Sequence, residues 1–580
     1  MANQVHYDLP DDHKYKRTWV FNDAYVAEKN RKFFDGKTGI LDFGKYEDDT
    51  QLKKTKYDSL FGFGFAHSGI IYANSDNNIS EGLARHHQKK FLKSDSDQDE
   101  VGNLRVYYGD HVDNESFDFE NSLRTNQNHY CQVYGSDLAN IIREQFGYHE
   151  YAIPIAEASY LLTLEKHVKQ RLRASGYKDL EIEGLLANHT YMKVCEWKLK
   201  IETAKYNKPP RIIVDESVVG SLPRVHFANS WKNFSKGKKA DFGKVEVTYH
   251  GESSYESILN MFEQLESPVD KVVLKNNSDD AIIHWMEDGV YHRYNLDIAS
   301  NDSSHSFSTM ALYADYSNMT VEQRKNFFDT LNMPIRIYNY DKSRHVELKT
   351  KWGYCPSGLG DTTVVNNGAW LLFGHSLNRL LDKGFKMSLS LITLAGFLIG
   401  FRYSYSEIKN LGDIQFLKQS PALIDGKMVH SLNLGVILRF SGRCKGEIPN
   451  IPYPSWVTDR KSKAEYIQSL LTYGFFKYNR YEILIKCICP FFDNINKEEH
   501  KHVELLLKYG HRLTHGEVLE IAGSQRPILY HTRASMYSRY DLTDVDIDEF
   551  ESLCTSHGYG LTMWCKLVDI VFLKDYGLKW

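Results

Sequence analysis

No Cys-x-x-Cys pair occurs among the eight cysteines of this 580-residue chain, which argues against a zinc ribbon. Cys487 and Cys489 lie one residue apart in an apolar segment and read as packing residues. Such sparse, unpatterned cysteine suits a reducing cytoplasm. Long apolar runs are missing too. The most hydrophobic stretch, 387–401, has about fifteen residues, short of the roughly twenty that span a bilayer. It predicts a buried helix, so no membrane span is expected. The opening Met1-Ala2-Asn3-Gln4-Val5-His6 contains no apolar signal region. An excess of one charge is also absent: 71 Lys and Arg stand against 75 Asp and Glu, a net charge of −4. Such a surface does not attract polyanions as a whole, so any nucleic acid has to be held in a locally basic channel. Gly62-Phe63-Gly64-Phe65 lacks the lysine and hydroxyl residue of a phosphate loop. Neither His86-His87 nor His500-x-His502 has partners at metal-ligand spacing, so both read as ordinary surface or core positions. There is no long internal repeat and no low-complexity linker.

What is present is a folded chain longer than one core usually serves, which predicts two or three packed subdomains. Residues 1 to about 190 mix polar loops, such as the acidic 92–100, with short apolar runs. Residues 156–186 are helical in character, with Leu161, Leu162, Leu164 and Val168 near one face. Between about 195 and 425, strand-like and helix-like segments alternate, as in an α/β core. Val272-Val273-Leu274 and Ala281-Ile282-Ile283 are strand-forming arms around a polar tip, which is a hairpin signature. Asp288-Gly289 supplies the next turn, so Asp279 and Asp297 are expected on neighbouring strands. Beyond about 425 the chain reads as mostly helical, with Ile467, Leu470 and Leu471 at helical spacing. Thr514 and Glu517 form a candidate capping box there.

Three stretches carry the chemistry. Ser278-Asp279-Asp280 sits at the hairpin tip, and Asp297-Ile298-Ala299-Ser300-Asn301-Asp302 follows it. Asp-Asp alone is a common turn dipeptide. Carboxylates converging from two strands, however, are what two divalent ions need to stabilise the attacking and leaving oxygens of a phosphoryl transfer, and oxygen donors suit Mg²⁺. Downstream lies Ser357-Gly358-x-x-x-Thr362-x-x-x-Asn366, where Gly358 permits a backbone geometry other residues resist. Upstream, the basic segment from Lys198 to Ile213 includes Lys200 and Arg211; fixed cations of this kind offset the charge of a triphosphate. Trp231 to Lys239 is an aromatic, lysine-rich stretch that reads equally as an RNA contact or as a solubilising loop.

Together these motifs resemble those of viral RNA-dependent RNA polymerases. The paired aspartates precede the other two stretches, an order that resembles the permuted polymerases of birnaviruses and permutotetraviruses. The resemblance covers about 195–425, in the motif order F, C, A, B, D, E. It implies an α/β right-hand fold with fingers, an RRM-like antiparallel-sheet palm and a mostly helical thumb. The divisions would be 1–190 (N-terminal region and part of the fingers), 191–260 (fingers with the basic segment), 261–425 (palm, with a fingers insertion at about 306–350) and 426–580 (thumb). By the same resemblance Asp279, Asp280 and Asp297 bind two Mg²⁺ or Mn²⁺ ions. Asp302, Ser357, Gly358, Thr362 and Asn366 meet the nucleotide, and Lys200 and Arg211 meet phosphate or base. Lys409 is a candidate general acid for pyrophosphate, or a surface lysine. Phe416-Leu417-Lys418 is the candidate primer-grip turn. Gly412-Asp413 is read as no metal site, because Ile414 stands where a second aspartate would be. The implied partners are an RNA template and nascent strand, NTPs, and a protein primer or capsid and replication proteins. The implied setting is the host cytoplasm, within a virion or replication complex. Two alternatives stay open: a reverse transcriptase, and a catalytically inactive, polymerase-like RNA-binding replication protein.

Overall fold

The computed structural model of the chain describes chiefly residues 114–147, 178–187, 231–251, 254–317, 357–440, 453–459, 532–556 and 565–577, with short strands and single positions elsewhere. After the long helix α1 (Asn114–Phe146) come five strands: β1 (Lys239–Asp241), β2 (Val245–Tyr249), β3 (Val272–Asn277), β4 (Asp280–Glu287) and β5 (Val290–Ala299). Strand β6 (Arg402–Glu407) completes a six-stranded sheet in the order β6-β5-β4-β3-β2-β1.

The sheet is mixed, which corrects the expected antiparallel palm sheet: β2 and β3 run parallel, and the other neighbours are antiparallel. The connection explains this. Parallel strands need a crossover, and helix α2 (Tyr255–Gln264) supplies one. The Ser254 hydroxyl accepts from the Ser257 N–H at its start, and Tyr255, Ile258, Met261 and Phe262 are buried on one face.

Strand β4 explains the near-continuous apolar run 281–285. Ala281, Ile283 and Trp285 enter the main core, whereas Ile282 enters a second one with α2, Ile408, Ile414 and Phe416. A strand covered on both faces loses the polar alternation of a half-exposed one. The main core adds α1, α3 (Phe307–Tyr316), α4 (Thr362–Asp382) and α5 (Leu389–Leu398). Helix α5 occupies the 387–401 stretch but is buried on one face only: Leu391, Ile392, Ala395 and Gly396 face the core, while Thr393 and Leu394 are exposed. Among the described residues no helix is long and apolar enough to cross a membrane.

Helix α4 lies so close to β2 that a Cβ on Gly374 would come within 2.2 Å of the Val247 Cγ2. Gly374→Ala is therefore expected to destabilise the fold by about 1–3 kcal/mol through overpacking, measured as a lower urea midpoint.

Past the sheet, β7 (Gln419–Ile424) and β8 (Lys427–Leu432) form a hairpin, so strand structure extends past the expected onset of helix near 425. Helices α6 (Leu434–Phe440), α7 (Thr532–Tyr540), α8 (Asp544–Ser556) and α9 (Lys566–Tyr576) follow. A buried ion pair joins them. Asp575 accepts from the Arg539 Nε (2.9 Å), the Tyr540 hydroxyl (2.8 Å) and the Gly435 N–H (2.8 Å). Arg539 also donates to the Gly412 carbonyl and the Gln415 side chain, both at 2.8 Å.

A separate four-stranded sheet joins Glu196–Leu199 and Ile212–Asp215 to Ile335–Tyr338 and His345–Leu348. Gly64–Phe65 forms a short strand against Thr562–Met563. Of the helical stretch expected over 156–186, the described helix is Asp179–Ala187. Lys200, Arg211, the 92–100 loop, both histidine pairs, Cys487, Cys489, Ile467, Leu470, Leu471 and the Thr514–Glu517 cap lie outside the described residues.

Candidate active site

The register of β3 and β4 pairs Asn277 with Asp280, so Ser278 and Asp279 form a two-residue hairpin loop. Ser278 has φ +54°, an uncommon conformation for a residue with a Cβ. Helix α4 holds it there. The Ser278 N–H donates to the Asn367 Oδ1 (2.9 Å), the Trp370 indole donates to the Ser278 carbonyl (2.8 Å), and the Asn366 Nδ2 donates to the Ser278 Oγ (3.1 Å). Asp279 is gripped through one oxygen: its Oδ1 accepts from the Asn366 Nδ2 (2.7 Å) and the Asn301 Nδ2 (2.6 Å).

The β4–β5 ladder pairs Ala281 with Leu296. One further step in that register sets Asp280 opposite Asp297, a separation of about 5 Å between Cβ atoms. Like charges so arranged repel. Asp297 is exposed as a residue, yet the protein around its carboxyl displaces much of that group's hydration. That burial, then Asp279 and Asp280, push its pKa up to about 6. Asp280 is also raised, first by burial; Lys418 and the Leu417 N–H oppose the shift. Leu417 and Lys418 both adopt left-handed backbone (φ +51° and +59°) in a tight turn closed by the Phe416–Gln419 bridge. The Lys418 Nζ donates to the Asp575 carbonyl (3.3 Å).

A raised carboxyl pKa means that the folded state holds a proton the unfolded chain releases, so stability falls as pH rises from about 4 through 6. Asp297→Asn is expected to melt above the parent at pH 7.5 without divalent ions. The gap should close as pH is lowered towards 4, and Mn²⁺ should raise the parent's Tm more than the variant's. Thermal melts across that range check this.

Ser357 and Gly358 lie in the turn before α4, where Gly358 has φ +100°. The Thr362 hydroxyl donates to the Leu359 carbonyl (2.9 Å) and so closes that turn onto the helix. Asp302 sits half-buried in the short helix Asn301–Ser304, and its carbonyl accepts from the Cys355 N–H (3.0 Å). The loop after β5 is thus tied to the loop before α4.

Lys409 stands apart. Its Nζ lies 3.6 Å from the Glu407 carboxylate in solvent. Glu407 pairs with Tyr294, three ladder steps from the Asp297–Ser404 pair, or about 10 Å along the strand. The lysine whose charge reaches Asp280 and Asp297 is Lys418. Asp413 accepts from the Lys409 and Asn410 N–H groups (3.2 and 3.0 Å) and pairs with Lys574, so Gly412-Asp413 is a capped turn. Trp231 corrects the idea of a base-stacking loop: it is buried, packed on Phe146 and Tyr316. The apolar periodicity of a helical turn at 231–235, not exposure, accounts for its aromatic content.

Asn301, Asn367 and Trp370 were not picked out as part of the site from sequence, and Lys418 was named only as the end of the candidate primer-grip turn. Asn366, Asn367 and Trp370 fall at i, i+1 and i+4 on α4, so Trp370 is the helical neighbour of both asparagines, a signal legible once the helix is assigned. Lys418 offers none before the turn is folded.

Among the described residues no three His, Cys, Asp or Glu side chains close on a single point. The donor chemistry still fits a hard divalent cation: three carboxylates at adjacent strand ends, two of them with proton affinities raised in part by mutual repulsion that a cation would relieve.

Neither a protein-family model nor a curated protein matches the chain. Among solved structures, the chain is similar over 63% of its length to a chain in the X-ray structure of the birnavirus VP1–VP3 complex (TM-score 0.35, 13% identity, 51% of that chain). It is similar over the same share to the RNA polymerase VP1 of infectious pancreatic necrosis virus (TM-score 0.35, 13% identity, 50% of that chain). The chain therefore covers about half the length of each.

Proposed function

We propose that the protein is a viral RNA-dependent RNA polymerase, extending RNA on an RNA template from NTPs during genome replication and transcription. One observation carries this reading. Asp279 and Asp280, just past the Ala281–Leu296 pair, act on the Asp297 carboxyl of the neighbouring strand, and Asp279 is gripped by the helix that follows Ser357-Gly358.

In this reading Asp279, Asp280 and Asp297 hold two Mg²⁺ or Mn²⁺ ions. Bound there, the ions would stabilise charge on the attacking and leaving oxygens. Asp302, Ser357, Gly358, Thr362 and Asn366 meet the nucleotide, with Asp302 and Asn366 sensing the 2′-hydroxyl that distinguishes RNA from DNA precursors. Lys200 and Arg211 meet the triphosphate. Lys409 is left out of this set because it follows the end of β6 and its Nζ lies beside the Glu407 carboxylate in solvent. Template, nascent strand and a protein primer or capsid component are the partners, in a replication complex or virion of the host cytoplasm.

The test is incorporation of labelled NTPs or dNTPs on single-stranded RNA, with and without primer, in Mg²⁺ and in Mn²⁺. Template-dependent product from NTPs alone supports the proposal. Product from dNTPs moves the reading to a reverse transcriptase. RNA binding without product under every condition moves it to an inactive replication protein.

A further inference from the structure

We infer that His305 is a positioning residue: it orients the Asn301 amide so that Asn301 donates to Asp279 and fixes that carboxylate for its ion. What Asp279 does rests on the polymerase reading; how it is held does not.

The assignment follows from donor and acceptor rules. A carboxylate at neutral pH only accepts, so Asn301 must turn its NH₂ towards the Asp279 Oδ1, 2.6 Å away. Its carbonyl oxygen then points the other way, to the His305 Nε2 at 3.0 Å. That oxygen only accepts, so Nε2 must carry the proton. Nδ1 is left as an acceptor, with the Tyr313 hydroxyl 3.5 Å away. Asn366, the second donor to the Asp279 Oδ1, lies against the same imidazole, and its own Oδ1 is buried without a well-formed hydrogen bond. One ring thus touches both amides that grip Asp279.

The ring is kept in that form. His305 is fully buried, and burial followed by the nearby Arg124 guanidinium pulls its pKa down to about 3. Its backbone is pinned as well. The Arg124 Nη1 donates to the carbonyls of Ser304 (2.5 Å) and His305 (3.0 Å), and the Gln127 Nε2 donates to the Ser304 carbonyl (2.8 Å) and the Ile399 carbonyl (3.0 Å). Helix α1, more than 150 residues upstream, therefore sets the position of the ring that sets Asn301.

The experiment compares the full chain with His305→Phe, which keeps the ring volume and loses the donor, and His305→Gln, whose amide nitrogen can replace Nε2–H. Mn²⁺ binding is read by electron paramagnetic resonance without RNA or NTP, and crystal structures report the Asn301–Asp279 contact. His305→Phe is expected to bind Mn²⁺ about tenfold more weakly, with His305→Gln within about threefold of the parent, the range seen when outer-shell partners of metal ligands are altered. The Asn301–Asp279 contact should be lost in the Phe variant and kept in the Gln variant. A folded His305→Phe with parental Mn²⁺ affinity and an intact contact overturns the inference. If the parent itself binds no Mn²⁺, the metal reading fails, and the contact in the variant structures decides the inference alone. Should His305→Phe not fold, Asn301→Ala takes its place with the same expected loss of affinity, and parental affinity in that variant overturns the inference.

Discussion

Asp297→Ala and Asp279→Ala are each expected to lower template-dependent RNA synthesis by about three orders of magnitude or more, because ions poised at the reacting oxygens supply several kcal/mol of the barrier reduction. The two substitutions act differently on the fold. Asp279 and Asp280 both press their charge on Asp297, so its removal relieves repulsion and should leave the melting temperature unchanged or higher. Asp279 is held by Asn301 and Asn366, so its loss frees two buried amide donors and should lower stability modestly. Activity lost from a variant that melts no lower than the parent separates chemistry from unfolding. RNA affinity measured by filter binding should change little in either, and Lys409→Ala should retain most of the parental rate. Product that survives Asp279→Ala would sink the metal assignment, and a large loss in Lys409→Ala would restore that lysine to the mechanism.

The second large effect concerns stability. Arg539→Ala is expected to cost about 3–5 kcal/mol, the range for removing one partner of a buried ion pair, read as a lower urea midpoint at unchanged slope. Its guanidinium makes contacts to Asp575, Gly412 and Gln415, and Asp575 in turn serves Tyr540 and the start of α6. Deleting the arginine leaves a buried carboxylate without its cation and the Gly412 carbonyl without this donor, whereas the Gln415 Oε1 still accepts from the Asn433 Nδ2 (3.0 Å). Arg539→Lys keeps the charge but not the fork of donors and should recover part of the loss. The damage should also reach the site: Gln415 donates from its backbone to the Asn295 Oδ1 (3.1 Å), and Asn295 lies two residues before Asp297. A loss below about 1 kcal/mol, typical of a surface pair, would mean that the network is far more hydrated than its burial implies.

Much of the site could be read from local patterning. The arms 272–274 and 281–283 and the turn at Asp288-Gly289 use short-range signals, and they suffice to bring Asp279 towards Asp297. The parallel pairing of β2 with β3 was hidden, because nothing in 245–249 states whether its chain will cross over before it pairs. Trp231 misled because an aromatic flanked by lysines has the same composition in a core-facing turn as in an exposed loop. Lys409 and Lys418 could not be ranked from sequence. Both follow β5 by more than a hundred residues, and only the ladder register and the left-handed turn decide which of them reaches Asp280 and Asp297 with its charge. His305 was invisible for a related reason: its partners Arg124, Asn301 and Tyr313 come from three separate elements.

The four-stranded sheet outside the main core has a mechanical meaning. Arg336 and Ile337, from the segment between Asp302 and Ser357, pair directly with Glu196 and Trp197, which immediately precede the basic stretch. A ladder does not stretch, so neither segment can travel far without dragging the other or breaking their hydrogen bonds. Any displacement of Glu196 and Trp197 is therefore transmitted, as through a rigid coupling, to the chain that connects the aspartate strand with the helix gripping its neighbour.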